Sequence, residues 1–128
     1  MDGNSGEQRQ GRLAIELGRR AHFRVSTELS VRFQVVDSEV AGGAVIRNLG
    51  LAGARVDFDT EIRLPASVRL IIPGGPNTTG SPAFEVPGEV VWTVAEKSGG
   101  PFPSGVAFIA IDEDIKGELV ALLDRLIS

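Results

Sequence analysis

The sequence predicts an all-β domain with a single C-terminal helix. Three observations predict it. The chain has 128 residues, the length of one domain with one core. Six short segments alternate apolar and polar residues between glycine- and proline-rich turns, the mark of half-buried strands. The final segment then changes from a period of two to helical spacing.

The elements follow in order. Residues 1–11 (MDGNSGEQRQG) are polar and glycine-containing, and are expected to be a disordered arm. From Arg12 to Arg20, Leu13, Ala14, Ile15 and Leu17 fit one or two helical turns or an extended segment equally, and Gly18 weakens the helix. Leu29, Val31, Phe33 and Val35 alternate with Ser30, Arg32 and Gln34 as a first strand. Gly42-Gly43 is expected to turn the chain into a second strand near Ala44, Val45 and Ile46. Asn48 to Gly53 (NLGLAG) makes a tight connection to a third, where Ala54, Val56 and Phe58 alternate with Arg55 and Asp57. Val68, Leu70 and Ile72 mark a fourth strand after Pro65, and Pro73 to Pro82 is a loop by composition. Phe84, Val86, Val90, Trp92 and Val94 form a fifth, with a bulge or bend expected at Pro87-Gly88. Ser98 to Gly105 reads as the next turn, and Val106, Phe108 and Ala110 as the sixth strand.

Asp112 is placed to cap a helix whose first turn holds Glu113 and Asp114, near its positive end. Ile115, Leu119, Leu122, Leu123 and Leu126 fall on one face of it. That face serves either as a cover for the barrel or as a homodimer seam. Short strands joined by tight turns suggest a small antiparallel barrel or sandwich.

Composition removes several function classes. Hydrophobic residues make up 42% and charged residues 23%, as in a globular rather than a disordered chain. Without cysteine there are no disulfides, thiolate metal sites or cysteine nucleophiles, and with His22 alone there is no multi-histidine metal site. No phosphate-cradling glycine loop lies between a strand and a helix, and no nucleophile, base and orienter stand together, so the expectation is a protein without catalytic activity or cofactor. No stretch has the length of a signal peptide's apolar core or of a membrane span, so a cytoplasmic protein without membrane insertion is expected. A net charge of −4 argues against long nucleic acids. The charge is uneven, however. Residues 1–24 hold five arginines against three acids, a net +2, and the remainder holds eight bases against fourteen acids, a net −6.

Two features stand out. Arg20 and Arg24 are separated by three residues just before the first strand, with Arg19 beside them. Guanidinium groups bond phosphate in a bidentate fork and stack on bases. Asn48, in the turn between the second and third strands, offers a donor and an acceptor to a base edge, and Gly53 permits close backbone approach or positive φ. Asp57, Asp59 and Glu61 alternate nearby and are expected to form a solvated face.

Taken in order, these features resemble the PilZ domain family. Arg20-Ala21-His22-Phe23-Arg24 matches its RxxxR, and Asn48-Leu49-Gly50-Leu51-Ala52-Gly53 most of its [DN]xSxxG. Gly88-Glu89-Val90-Val91-Trp92 resembles its GxVxW strand, and Gly105-Val106-Ala107-Phe108 its GVxF strand. The resemblance implies a flexible arm over residues 1–17 and, over 18–128, a six-stranded antiparallel PilZ-type β-barrel with a C-terminal helix. It also implies a receptor for the bacterial messenger cyclic di-GMP. Arg20 and Arg24 would then clamp phosphate and guanine, Asn48 would read the base, and Gly53 would allow close approach. Arg19 would engage a second, intercalated nucleotide. Ordering of the arm by ligand would signal to a downstream partner protein, in motility for example. The alternative is a degenerate adaptor that has lost the ligand and acts through protein contacts.

One position departs from the family. Gly50 stands where the motif has serine. A hydroxyl's hydrogen bond is worth about 0.5–3 kcal/mol depending on the partner's charge, roughly a two- to hundredfold change in affinity. Its backbone N–H remains as a donor. Weakened rather than abolished binding is the expectation.

Overall fold

A computed structural model of the protein describes residues 24–73, 83–94 and 99–127. The expectations for the arm over 1–17, for Arg19, Arg20 and His22, and for most of the 73–82 loop lie outside these residues. Among the described residues there are six strands: β1 Val25–Val35, β2 Ala41–Leu49, β3 Gly53–Phe58, β4 Ala66–Ile72, β5 Phe84–Thr93 and β6 Phe102–Phe108. A helix, α1, spans Glu113–Ile127. The strands close into an antiparallel barrel in the order β1-β2-β3-β6-β5-β4, with the β1–β4 ladder from Arg32↔Ile71 to Val35↔Val68 as its seam. Closure leaves no bare strand edge to recruit another chain.

Period-two alternation decides which residues fill the barrel. Phe33, Ile46, Val56, Phe58, Leu70 and Val86 point inward and are almost wholly shielded from solvent. Phe33 and Phe58 meet edge to face, with ring centroids 4.8 Å apart, the arrangement their ring quadrupoles favour. Asp112 caps α1 as expected, its Oδ1 accepting the Ile115 N–H at 2.8 Å. The helix packs against β1 and β5, and Leu119, Leu122 and Leu123 belong to the barrel's own hydrophobic core. The leucine face therefore covers the barrel.

Four local expectations are corrected. Gly42-Gly43 does not turn the chain but lies within β2. The hairpin turn precedes it, with the Val35 N–H donating to the Val40 carbonyl at 2.8 Å and Asp37 in the left-handed region at φ 60. The glycines make room for Asp59: its Oδ2 accepts the Gly43 N–H at 2.9 Å, and a Cβ on Gly42 would stand 2.5 Å from its Oδ1. Pro87-Gly88 does not interrupt β5, since Pro87 pairs regularly with Arg69. On the other side its carbonyl accepts the Ile109 N–H, just past the end of β6. A missing N–H there costs no ladder bond. The bulge falls later, between Val90 and Trp92 opposite β6. Finally, β6 begins at Phe102, inside the segment read as a turn, and ends at Phe108. Ala110, read as part of that strand, instead adopts φ 51 where the chain leaves for α1.

Candidate functional site

The candidate residues meet at one end of the barrel because β1 and β3 both flank β2. Val25 pairs with Leu49, and Ser26 with Asn48. Arg24, exposed and one residue before Val25, therefore stands at the mouth of the β2–β3 turn. Leu49 is fully buried and anchors that turn in the core. The Gly50 N–H donates to the Gly53 carbonyl at 2.9 Å, and the Ala52 carbonyl accepts the Phe108 N–H at 2.9 Å. The turn is thus rigid, and the Gly50 N–H, expected to remain as a donor, is already engaged. Gly53 is required for close approach to the protein itself, because a Cβ there would collide with the Val106 carbonyl oxygen of β6.

A bulge between Ile46 and Asn48 shifts the β2–β3 register and turns Arg47 and Asn48 toward the outer face. Arg47 is held there by Asp57 Oδ2 at 3.0 Å and Glu28 Oε2 at 3.5 Å. The hydrogen bond to Asp57 raises the Arg47 pKa; desolvation opposes this, and the two carboxylate charges add to it. Among the described residues, Asn48 has no such partner. Its Oδ1 is shut from solvent and receives no hydrogen bond. Leaving a buried acceptor unpaired costs about 1–3 kcal/mol, so a side-chain rotation that brings this oxygen to a donor would be favoured.

Register extends the site beyond the expected residues. Asn48 pairs with Arg55, Arg55 with Gly105, and Gly105 with Trp92. With Ser26 on its other side, Asn48 lies in an outward-facing row that crosses five strands. At about 4.8 Å per strand interval, Asn48 and Trp92 stand roughly 14 Å apart. The Trp92 ring, 44% exposed, lies over Gly105, where an added Cβ would be 2.6 Å from Cε2 and 2.8 Å from Cδ1. Arg55 and Trp92 could not be assigned to the site from sequence. Alternation marks Arg55 as outward-facing, but only the ladder register brings it beside Asn48.

The same face continues away from the turn as an open groove of about 910 Å³, lined in part by Val45, Arg47, Asp57, Asp59 and Pro101. The expected solvated acidic face holds for Asp59 and Glu61, which are exposed, and is corrected for Asp57. The Asp57 side chain is only 11% exposed and bonds Arg47, and Asp59 accepts the Gly43 N–H and the Thr60 hydroxyl. Both carboxylates secure neighbouring groups of the barrel.

A family model described as the PilZ domain matches residues 18–125. No curated protein matches at a significant level. Among solved structures, the PilZ domain of CeSA from a cellulose-synthesizing bacterium superposes with a TM-score of 0.64 at 15% identity, covering 83% of this chain and 99% of that one. The PilZ domain with c-di-GMP of YcgR from Escherichia coli gives 0.64 at 14% identity, over 85% and 92% of the two chains. The Bacillus subtilis inhibitor of motility MotI/DgrA gives 0.62 at 18% identity; 84% of this chain is covered, but only 50% of that protein. At these identities the likeness is one of fold.

Proposed function

The chain belongs to the PilZ domain family, and from that premise we propose that it is a non-catalytic cytoplasmic receptor for cyclic di-GMP. The observation that carries the reading is Asn48. Its Oδ1 is buried without a donor, on the outer face near Arg24. Guanine presents N1–H and N2–H donors on one edge, which suits that oxygen once the side chain turns it to the surface. Arg20 and Arg24 supply the charge-assisted bonds to phosphate, and Arg19 engages a second, intercalated nucleotide. A PilZ barrel of the same fold is known with c-di-GMP in YcgR of Escherichia coli.

Ligand capture by Arg20 and Arg24 orders the segment over residues 1–17, and that ordering presents a surface to a downstream partner protein, in motility for example. Binding leaves the barrel unchanged, since its turn is already tied to β3 and β6.

One observation favours a second reading. Gly50 has no hydroxyl, and its N–H is held by Gly53, so the motif's third position offers a ligand neither group. On this reading the chain is an adaptor that acts through protein contacts alone. A thermal-shift titration separates the two. The receptor melts at higher temperature with cyclic di-GMP, and Arg20→Ala removes the shift. The adaptor shows no shift at any ligand concentration.

A further inference from the structure

We propose that Arg55 selects guanine at this site by gripping the O6/N7 edge of the base whose other edge lies on Asn48. The inference rests on the cyclic di-GMP reading and names a residue outside the RxxxR and [DN]xSxxG motifs.

Arg55 is exposed on β3, with its Cα opposite Asn48 on one side and Gly105 on the other. Paired Cα atoms in an antiparallel ladder are about 4.5–5.5 Å apart, so the Arg55 side chain is long enough to reach a base held by Asn48. Among the described residues no hydrogen bond or ion pair engages its guanidinium, whereas Arg47, the neighbouring cation on this face, is tied to Asp57 and Glu28. Asp57, the next outward residue of β3, is the very acid that Arg47 holds. On the β6 side, Gly105 carries no side chain of its own, and the Trp92 ring occupies the space over it. By register, an arginine without a partner among the described residues thus stands between Asn48 and the strand position that the Trp92 ring covers.

The base chemistry is selective. A guanine that donates N1–H and N2–H to Asn48 turns O6 and N7 to the adjoining edge, where a guanidinium forms two parallel hydrogen bonds. Adenine offers N6–H₂ in place of O6, which opposes the guanidinium's donors, and it lacks the N1–H and N2–H that Asn48 accepts. Lysine would keep the charge but lose the fork.

The test titrates the full chain, Arg55→Met and Arg55→Lys with cyclic di-GMP and with its 7-deazaguanine analogue, which lacks the N7 acceptor. The unsubstituted chain should lose about tenfold in affinity on going to the analogue, and Arg55→Met should bind both equally, about 10- to 100-fold more weakly than the unsubstituted chain binds cyclic di-GMP. Arg55→Lys, which keeps donors but not the planar fork, should discriminate against the analogue less than the unsubstituted chain does. Unchanged melting temperatures for the two variants would assign the loss to contact rather than folding. If Arg55→Met still distinguishes the two ligands as the unsubstituted chain does, Arg55 does not read this edge and the inference falls while the receptor reading stands. If the unsubstituted chain binds neither ligand, both fall together.

Discussion

Replacing Gly53 by alanine should lower the melting temperature by about 10 °C, whereas the same replacement at Gly117 should raise it. At Gly53 the new Cβ would collide with the Val106 carbonyl oxygen and lie 3.4 Å from Ala107 Cα. Both are backbone atoms of β6, which cannot rotate aside. They are fixed by the pairs Gly53↔Ala107 and Ala54↔Val106 and by the Phe108 N–H on the Ala52 carbonyl. Overpacking of this kind costs about 1–3 kcal/mol, and one or two strained ladder bonds add about 1 kcal/mol each. The total is about 2–5 kcal/mol, a large part of the roughly 5–15 kcal/mol that holds a domain folded. At this chain length each kcal/mol moves the melting temperature by roughly 3–5 °C. At Gly117, in the middle of α1, an added Cβ meets nothing within 4 Å, and alanine gains about 0.8–1.0 kcal/mol of helix propensity. Circular dichroism melts of the two variants measure both signs. A Gly53→Ala melt within about 2 °C of the unsubstituted protein would refute the tight approach of β3 to β6.

Three other substitutions test separate parts of the molecule. Leu123→Ala opens a cavity where the helix enters the core and should cost about 2–5 kcal/mol in chemical denaturation; an unchanged midpoint would contradict the helix's role as a cover. Asp112→Ala removes the cap on the Ile115 N–H and should cost about 1 kcal/mol, while Asp112→Asn, which keeps an acceptor, should stay near the original stability in the same assay. Gly50→Ser restores the missing hydroxyl and should tighten cyclic di-GMP binding about tenfold by calorimetry; an unchanged affinity would show that the ligand does not use this position.

Much of the fold was legible because burial imposes simple periods. The alternation at Val31–Phe33 and Val56–Phe58 marks strands, and the spacing from Ile115 to Leu126 marks a helix, since each pattern tracks one buried face. The turns were less legible, because glycine has two uses that look alike in sequence. Gly42 and Gly43 sit inside a strand to admit Asp59, while the hairpin beside them turns at Asp37 without a glycine. Pro87 reads as a breaker, yet it falls where no ladder bond is needed. At the candidate site, Asn48, Gly50 and Gly53 are recognisable by spacing. Arg55 and Trp92 are not, because they join Asn48 only through strand register, which depends on the bulges at Arg47 and Val91.

The most direct measurement is calorimetric titration of the full chain with cyclic di-GMP, repeated for Arg24→Ala and Gly50→Ser. The receptor reading expects saturable binding with two ligands per chain, lost in Arg24→Ala and tightened in Gly50→Ser. Saturation at one ligand per chain would remove the intercalated nucleotide assigned to Arg19. An absence of binding by both the unsubstituted chain and Gly50→Ser would contradict the receptor itself.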